Sequence, residues 1–134
     1  VGGGEVADVN ECKMIADLGI DFLAAGIGNI HGKYPENWKG LDFDALAATK
    51  EKIGDLPLVL HGGSGLSDDD FRNTVKEGIA KVNIFTDLCL AGERAMKEGL
   101  EKGLGYLETR NLKVEYIKEA VKNKIRLFGS ENKA

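Results

Sequence analysis

Residues 58–71 read LVLHGGSGLSDDDF, and they hold the end of one element, a turn and the start of another. Leu58, Val59 and Leu60 form the short apolar run of a buried strand. His61 follows at once, and Gly62, Gly63 and Gly65 free the backbone to turn tightly or to approach a ligand closely. Ser67 is a helix N-cap with Asp70 at the third position, and Leu66 stands opposite Phe71, so a capping box and a hydrophobic staple coincide. Asp68, Asp69 and Asp70 put negative charge where the helix dipole favours it. Strand, glycine turn and capped helix in immediate succession are the parts of a βα unit, the building block of parallel sheets.

The same alternation continues on both sides. Upstream, Val9, Cys12, Ile15 and Ala16 recur at helical spacing, with Asp8 as N-cap, Glu11 three residues later and Gly19 as the stop, which predicts a helix over 9–18. The almost continuously apolar run IDFLAAGIG (20–28) predicts a strand covered on both faces. Asp42 caps a helix over FDALAATKEKI (43–53), Leu41 can pack on Leu46 as a staple, and Gly54 ends it. Downstream, KVNIF (81–85) predicts a third strand and TDLCLAGERAMKEGLEKG (86–103) a long helix. Val114, Ile117, Val121, Ile125 and Phe128 mark one face of a last helix. Three parallel strands alone leave open edges and half-covered apolar faces, so the unit should need partners. A (β/α)8 barrel takes roughly 250 residues, and this chain of 134 residues is about half of that. The start at Val1, in a VGGGE loop with no element before it, adds the expectation that an upstream segment is missing.

With 43% hydrophobic and 30% charged residues, the composition is that of one soluble globular domain. A net charge of -4 argues against a nucleic-acid surface, which concentrates lysine and arginine. No run approaches the roughly 18 apolar residues of a membrane span, and no basic segment with an apolar core opens the chain. The expected location is the cytoplasm. Cys12 and Cys89 fall far apart in predicted helices and read as two buried free thiols of a reducing compartment.

The two histidines share one context. His31 follows AAGIGNI and precedes Gly32, and His61 follows LVL and precedes Gly62, so each lies at or just past the carboxyl end of a predicted parallel strand, one βα unit apart. A single histidine there would ordinarily bond a backbone carbonyl. Two with the same placement, on the face where barrels carry their chemistry, point instead to imidazoles within reach of one zinc ion. Gly62, Gly63, Ser64 and Gly65 in one loop, and Asn83, Ile84, Phe85 and Thr86 in another, each run into a helix N-terminus. Backbone N–H groups, helix dipoles and the Ser64 and Thr86 hydroxyls there suit a phosphate, although a GGSG turn by itself is common. Tyr34 and Trp38 in KYPENWKG (33–40) read as a lid or as a surface turn with anchored aromatics, and Lys81 could approach a phosphate.

AAGIGNIHGKYPENWKGLDF, LPLVLHGGSGLSDDDF, GIAKVNIFTD and the terminal KIRLFGS together resemble the carboxyl half of the class II, zinc-dependent ketose-bisphosphate aldolases, closest to the fructose- and tagatose-bisphosphate branch. The resemblance implies a (β/α)8 barrel of which residues 1–134 are one partial domain, carrying the sixth to eighth strands with their helices and a C-terminal helix. It implies that His31 and His61 are two of three zinc ligands. Gly32, the 62–64 loop and the 83–86 loop would hold glycerone phosphate, with a sodium or potassium ion nearby. The implied reaction is reversible cleavage of fructose or tagatose 1,6-bisphosphate to glycerone phosphate and glyceraldehyde 3-phosphate. The third zinc histidine and the proton-donating aspartate of such enzymes belong to the absent half. The loop after the fifth strand is short here, and Glu5 is its candidate proton-transfer residue. The isolated chain should therefore be inactive, with the missing half and further copies, as dimer or tetramer, as partners. Two other readings stay open from the residues: a non-catalytic phosphosugar-binding module, and a metal-free enzyme with the histidines as acid and base.

Overall fold

A computed structural model describes residues 4–32 and 34–133; residues 1–3, 33 and 134, and with them most of the VGGGE start and Lys33, lie outside the description. The chain falls into two compact units, residues 1–84 and 85–134.

The first unit contains helices α1 (Val9–Ala16), α2 (Phe43–Ile53) and α3 (Asp68–Lys76) and strands β1 (Leu58–Leu60) and β2 (Ile79–Val82). The strands pair in parallel, with Leu58 opposite Ile79 and Leu60 opposite Val82, so β1–α3–β2 is the expected crossover unit, a connection that is right-handed in nearly all parallel sheets. Each helix starts where its capping residue predicts. Asp8 accepts from the N–H groups of Asn10 and Glu11, Asp42 from that of Ala45, and Ser67 and Asp70 close a reciprocal capping box. Leu41 and Leu46, and Leu66 and Phe71, the two staple pairs, are all buried. The core is built from Leu58, Leu60, Phe71, Leu46 and Ile27, each under 2% exposed.

The run 20–28 does not form the continuous strand its composition predicts. It divides its backbone hydrogen bonds among three segments instead. The N–H of Leu23 donates to Pro57 and that of Val59 donates to Leu23, one parallel bridge to β1; the N–H groups of Ala7 and Gly28 donate to Gly26 and Glu5, and that of Asp42 donates to Ile27. Leu23 and Ile27 are buried while Phe22 is 56% exposed. The third strand starts two residues and ends three residues earlier than expected: β2 runs Ile79–Val82, the N–H of Asn83 still reaches the carbonyl of Leu60 at 3.0 Å, and the chain then leaves the ladder.

The second unit is a pair of packed helices, α4 (Thr86–Glu101) and α5 (Tyr106–Leu127). α5 begins eight residues ahead of Val114 because Gly105 and Glu108 form a cap over its first turn. Its expected apolar face is only partly covered: Ile117, against Gly92 of α4, and Phe128 are half-buried, while Val114, Val121 and Ile125 are exposed. Cys12 is buried as expected, and burial, with Asp8 and Glu11 adding, pushes its thiol further from ionisation. Cys89 is exposed, which corrects the expectation of two buried thiols; it faces the open side of α4. Among the described residues no helix is long and apolar enough to cross a membrane.

Candidate metal and phosphate site

Beyond Leu23 and Val59 the chain carries two loops forward side by side, 27–34 and 61–66. His31 lies toward the end of the first, and the second begins with His61. The two imidazoles lie with ring centroids 5.6 Å apart and planes inclined by 46°. Two imidazoles bound at about 2.1 Å to one tetrahedral ion would place their centroids roughly 5 Å apart. The residues therefore fit a shared zinc ion, as two of its ligands. Among the described residues no group of three or more histidine, cysteine or carboxylate side chains gathers that could complete a site alone.

His61 is half-buried and His31 exposed, so one imidazole is held by the fold and the other stands at its rim. The Asn83 amide nitrogen is 3.2 Å from Nδ1 and 3.3 Å from Nε2 of His61. Near-equal reach to both nitrogens requires an amide above the ring, which leaves the in-plane lone pair through which imidazole binds a metal. Lys81 in turn contacts the Asn83 oxygen, so its ammonium sits at the far end of that side chain.

The backbone between the two loops is close. Gly62 has φ +67°, and a Cβ built on it would meet the Ile30 carbonyl oxygen at 2.3 Å. Gly63 and Ser64 are buried, and Gly63 lies against Ile84, Val82 and the Phe71 ring. Gly32 is exposed, with φ +96° and nothing within 4 Å of where a Cβ would stand. Asn83 and Ile84 thus belong to the same cluster as His61 and Gly63. Phe85 and Thr86 belong to the second unit, where both are exposed and Thr86 opens α4. Glu5 is held by its backbone beside Gly28, and the residue is exposed.

Tyr34 and Trp38 are anchors. The Tyr34 hydroxyl accepts from the Ile30 N–H at 3.2 Å and donates to the Gly62 carbonyl at 2.8 Å, the Trp38 Nε1–H donates to the Gly28 carbonyl at 2.8 Å, and the two rings are 4.3 Å apart. Burial raises the Tyr34 pKa above its ordinary value, with Asp70 adding and the Ile30 N–H opposing, so the hydroxyl keeps the proton it donates. Asn29 is a site residue that sequence reasoning does not single out. Its oxygen accepts from the Ile27 N–H at 2.8 Å and its nitrogen donates to the His61 carbonyl at 3.0 Å. The available signal is a single polar residue inside the apolar GIGNI run.

Known proteins match this chain over nearly its whole length. A family model described as "Fructose-bisphosphate aldolase class-II" matches residues 2–133. Fructose-bisphosphate aldolase from Mycoplasma genitalium is 47% identical across 100% of this chain and 49% of the relative. The enzyme of that name from Streptococcus pneumoniae is 40% identical across 100% and 50%. The crystal structure of the YdjI aldolase from Escherichia coli K12 superposes with a TM-score of 0.85 at 35% identity, covering 97% of this chain and 46% of that one. The chain spans about half the length of the curated relatives it matches, and the half is their C-terminal one. Its mixed helix and strand content is that of part of an α/β barrel. With the paired His-Gly loops in place and the match running from residue 2 to residue 133, the chain belongs to the class-II fructose-bisphosphate aldolase family.

Proposed function

We propose that this chain supplies the sixth to eighth strands, with their helices, of a (β/α)8 barrel that reversibly cleaves fructose or tagatose 1,6-bisphosphate to glycerone phosphate and glyceraldehyde 3-phosphate. The observation that carries the reading is the 5.6 Å separation of the His31 and His61 rings, the spacing of two ligands on one zinc ion. When bound, zinc supplies Lewis-acid polarisation of the substrate carbonyl. His31 and His61 hold it, and Asn83 keeps the His61 ring in place from above. The backbone amides of Gly32, Gly62 and Gly63, the Ser64 hydroxyl and the chain at Asn83 and Ile84 receive the glycerone phosphate, with a sodium or potassium ion beside them. They fix the substrate in register, which removes orientational freedom before bond cleavage. Glu5 is the candidate for proton transfer on this side of the site.

The N-terminal half of the barrel supplies the third ligand and the proton-donating aspartate. Exposed Leu18, Phe22, Leu100 and Leu107 support a requirement for covering partners, both that half and further copies in a dimer or tetramer. The reading places the protein in the cytoplasm.

Zinc titration of the chain tests the metal assignment. One zinc should bind per chain, and His31→Ala or His61→Ala should each weaken it by more than the roughly 10- to 100-fold that an outer-shell substitution costs. Zinc binding indifferent to both, with sugar phosphate still bound, would replace the catalytic reading with a phosphosugar-binding module. With zinc and fructose 1,6-bisphosphate the chain alone should give no turnover, and assembly with the N-terminal half of the Mycoplasma genitalium relative should restore it.

A further inference from the structure

We propose that Asn29 and Tyr34 are positioning residues that set the separation of His31 and His61, a role that rests on the metal assignment above. Among the described residues the backbone ladder joining 20–28 to β1 stops at the bond from the Val59 N–H to the Leu23 carbonyl. The histidines lie well beyond that point. Two side chains take over. Asn29 accepts from the Ile27 N–H and donates to the His61 carbonyl; Tyr34 accepts from the Ile30 N–H and donates to the Gly62 carbonyl.

The pattern is the same in both. Each side chain accepts a hydrogen bond from the loop that carries His31 and donates one to the loop that carries His61, forming a side-chain rung between them. The four backbone groups so fixed are those of two residues that lead toward His31, and of His61 itself with its successor. Donor and acceptor roles run in one direction through each rung, so each bond polarises the next. The Gly62 contact with Ile30 keeps the loops from approaching further, and the rungs keep them from parting. Both side chains act on the backbone of the two loops, so their effect passes through the histidines.

The variants are Tyr34→Phe, which deletes one hydroxyl and keeps the ring on Trp38, and Asn29→Ala. Trp38→Phe is the comparison, since it removes a bond to Gly28 that lies outside the two rungs. Zinc affinity and melting temperature are measured for each on the same chain. Tyr34→Phe and Asn29→Ala should each bind zinc about tenfold or more weakly, in the range of outer-shell substitutions, while Trp38→Phe lowers the melting temperature without changing zinc affinity. If Asn29→Ala does not fold, Tyr34→Phe decides. Affinity within about twofold of the unchanged chain, alongside a lowered melting temperature, overturns the proposal and leaves a loop fastener. Affinity unaffected by His31→Ala and His61→Ala overturns the metal assignment itself, and the positioning role with it.

Discussion

Gly62→Ala should destabilise the first unit by about 3 kcal/mol and weaken zinc binding with it. Two costs add at this position. The backbone sits at φ +67°, a left-handed conformation that costs an L-residue roughly 1–2 kcal/mol. A Cβ would also fall 2.3 Å from the Ile30 carbonyl oxygen and 2.8 Å from its carbon, both main-chain atoms that cannot swing aside. Overpacking of that kind typically costs about 1–3 kcal/mol. The clash can be relieved only by moving the His61 loop away from the His31 loop, which changes the ring spacing on which the proposed metal site rests. Gly32→Ala is the internal control, because its φ of +96° brings the strain without a neighbour to strike. Stabilities from denaturant unfolding of the two variants should differ by more than about 1 kcal/mol. Equal midpoints would show that the loops do not approach as described.

Phe71→Ala should cost about 3–5 kcal/mol, the range for emptying a buried aromatic site. Phe71 is fully buried and is the largest such side chain among the described residues. Its ring lies beneath the glycine turn, with Cε1 3.2 Å from where a Gly63 side chain would begin. The loss therefore falls on the floor of the candidate phosphate loop as well as on the core. Chemical denaturation measures the first effect and sugar-phosphate affinity, at a temperature where the variant is folded, measures the second. Phe22→Ala, at a residue 56% exposed, should change stability far less. Comparable losses at the two positions would mean that Phe71 does not sit in the core as described.

Local chemistry is legible in the sequence, and pairing is not. Asp8, Asp42 and Ser67 cap their helices, because a cap is decided by three or four neighbouring residues. The 20–28 run reads as a continuous strand because composition reports burial, whereas a strand needs one partner along its length. Here the partners change at Leu23, Gly26 and Ile27. The end of β2 depends likewise on where Leu60 stops accepting. On α5 the period marks an apolar face, yet periodicity does not say what covers it. The histidine pair is visible from two repeated contexts, and the structure brings the two rings together. Asn29 is invisible for the opposite reason. Its partner, the His61 carbonyl, is 32 positions away, and no local pattern announces so distant an acceptor.

Surface loops ordinarily absorb insertions and deletions with little penalty. The stretch from Ile27 to Tyr34 is different, because it is pinned to a second segment at two points along its own length. One added residue between Asn29 and Tyr34 would let one rung form only by releasing the other. This connection is thus fixed in residue count as well as in residue type.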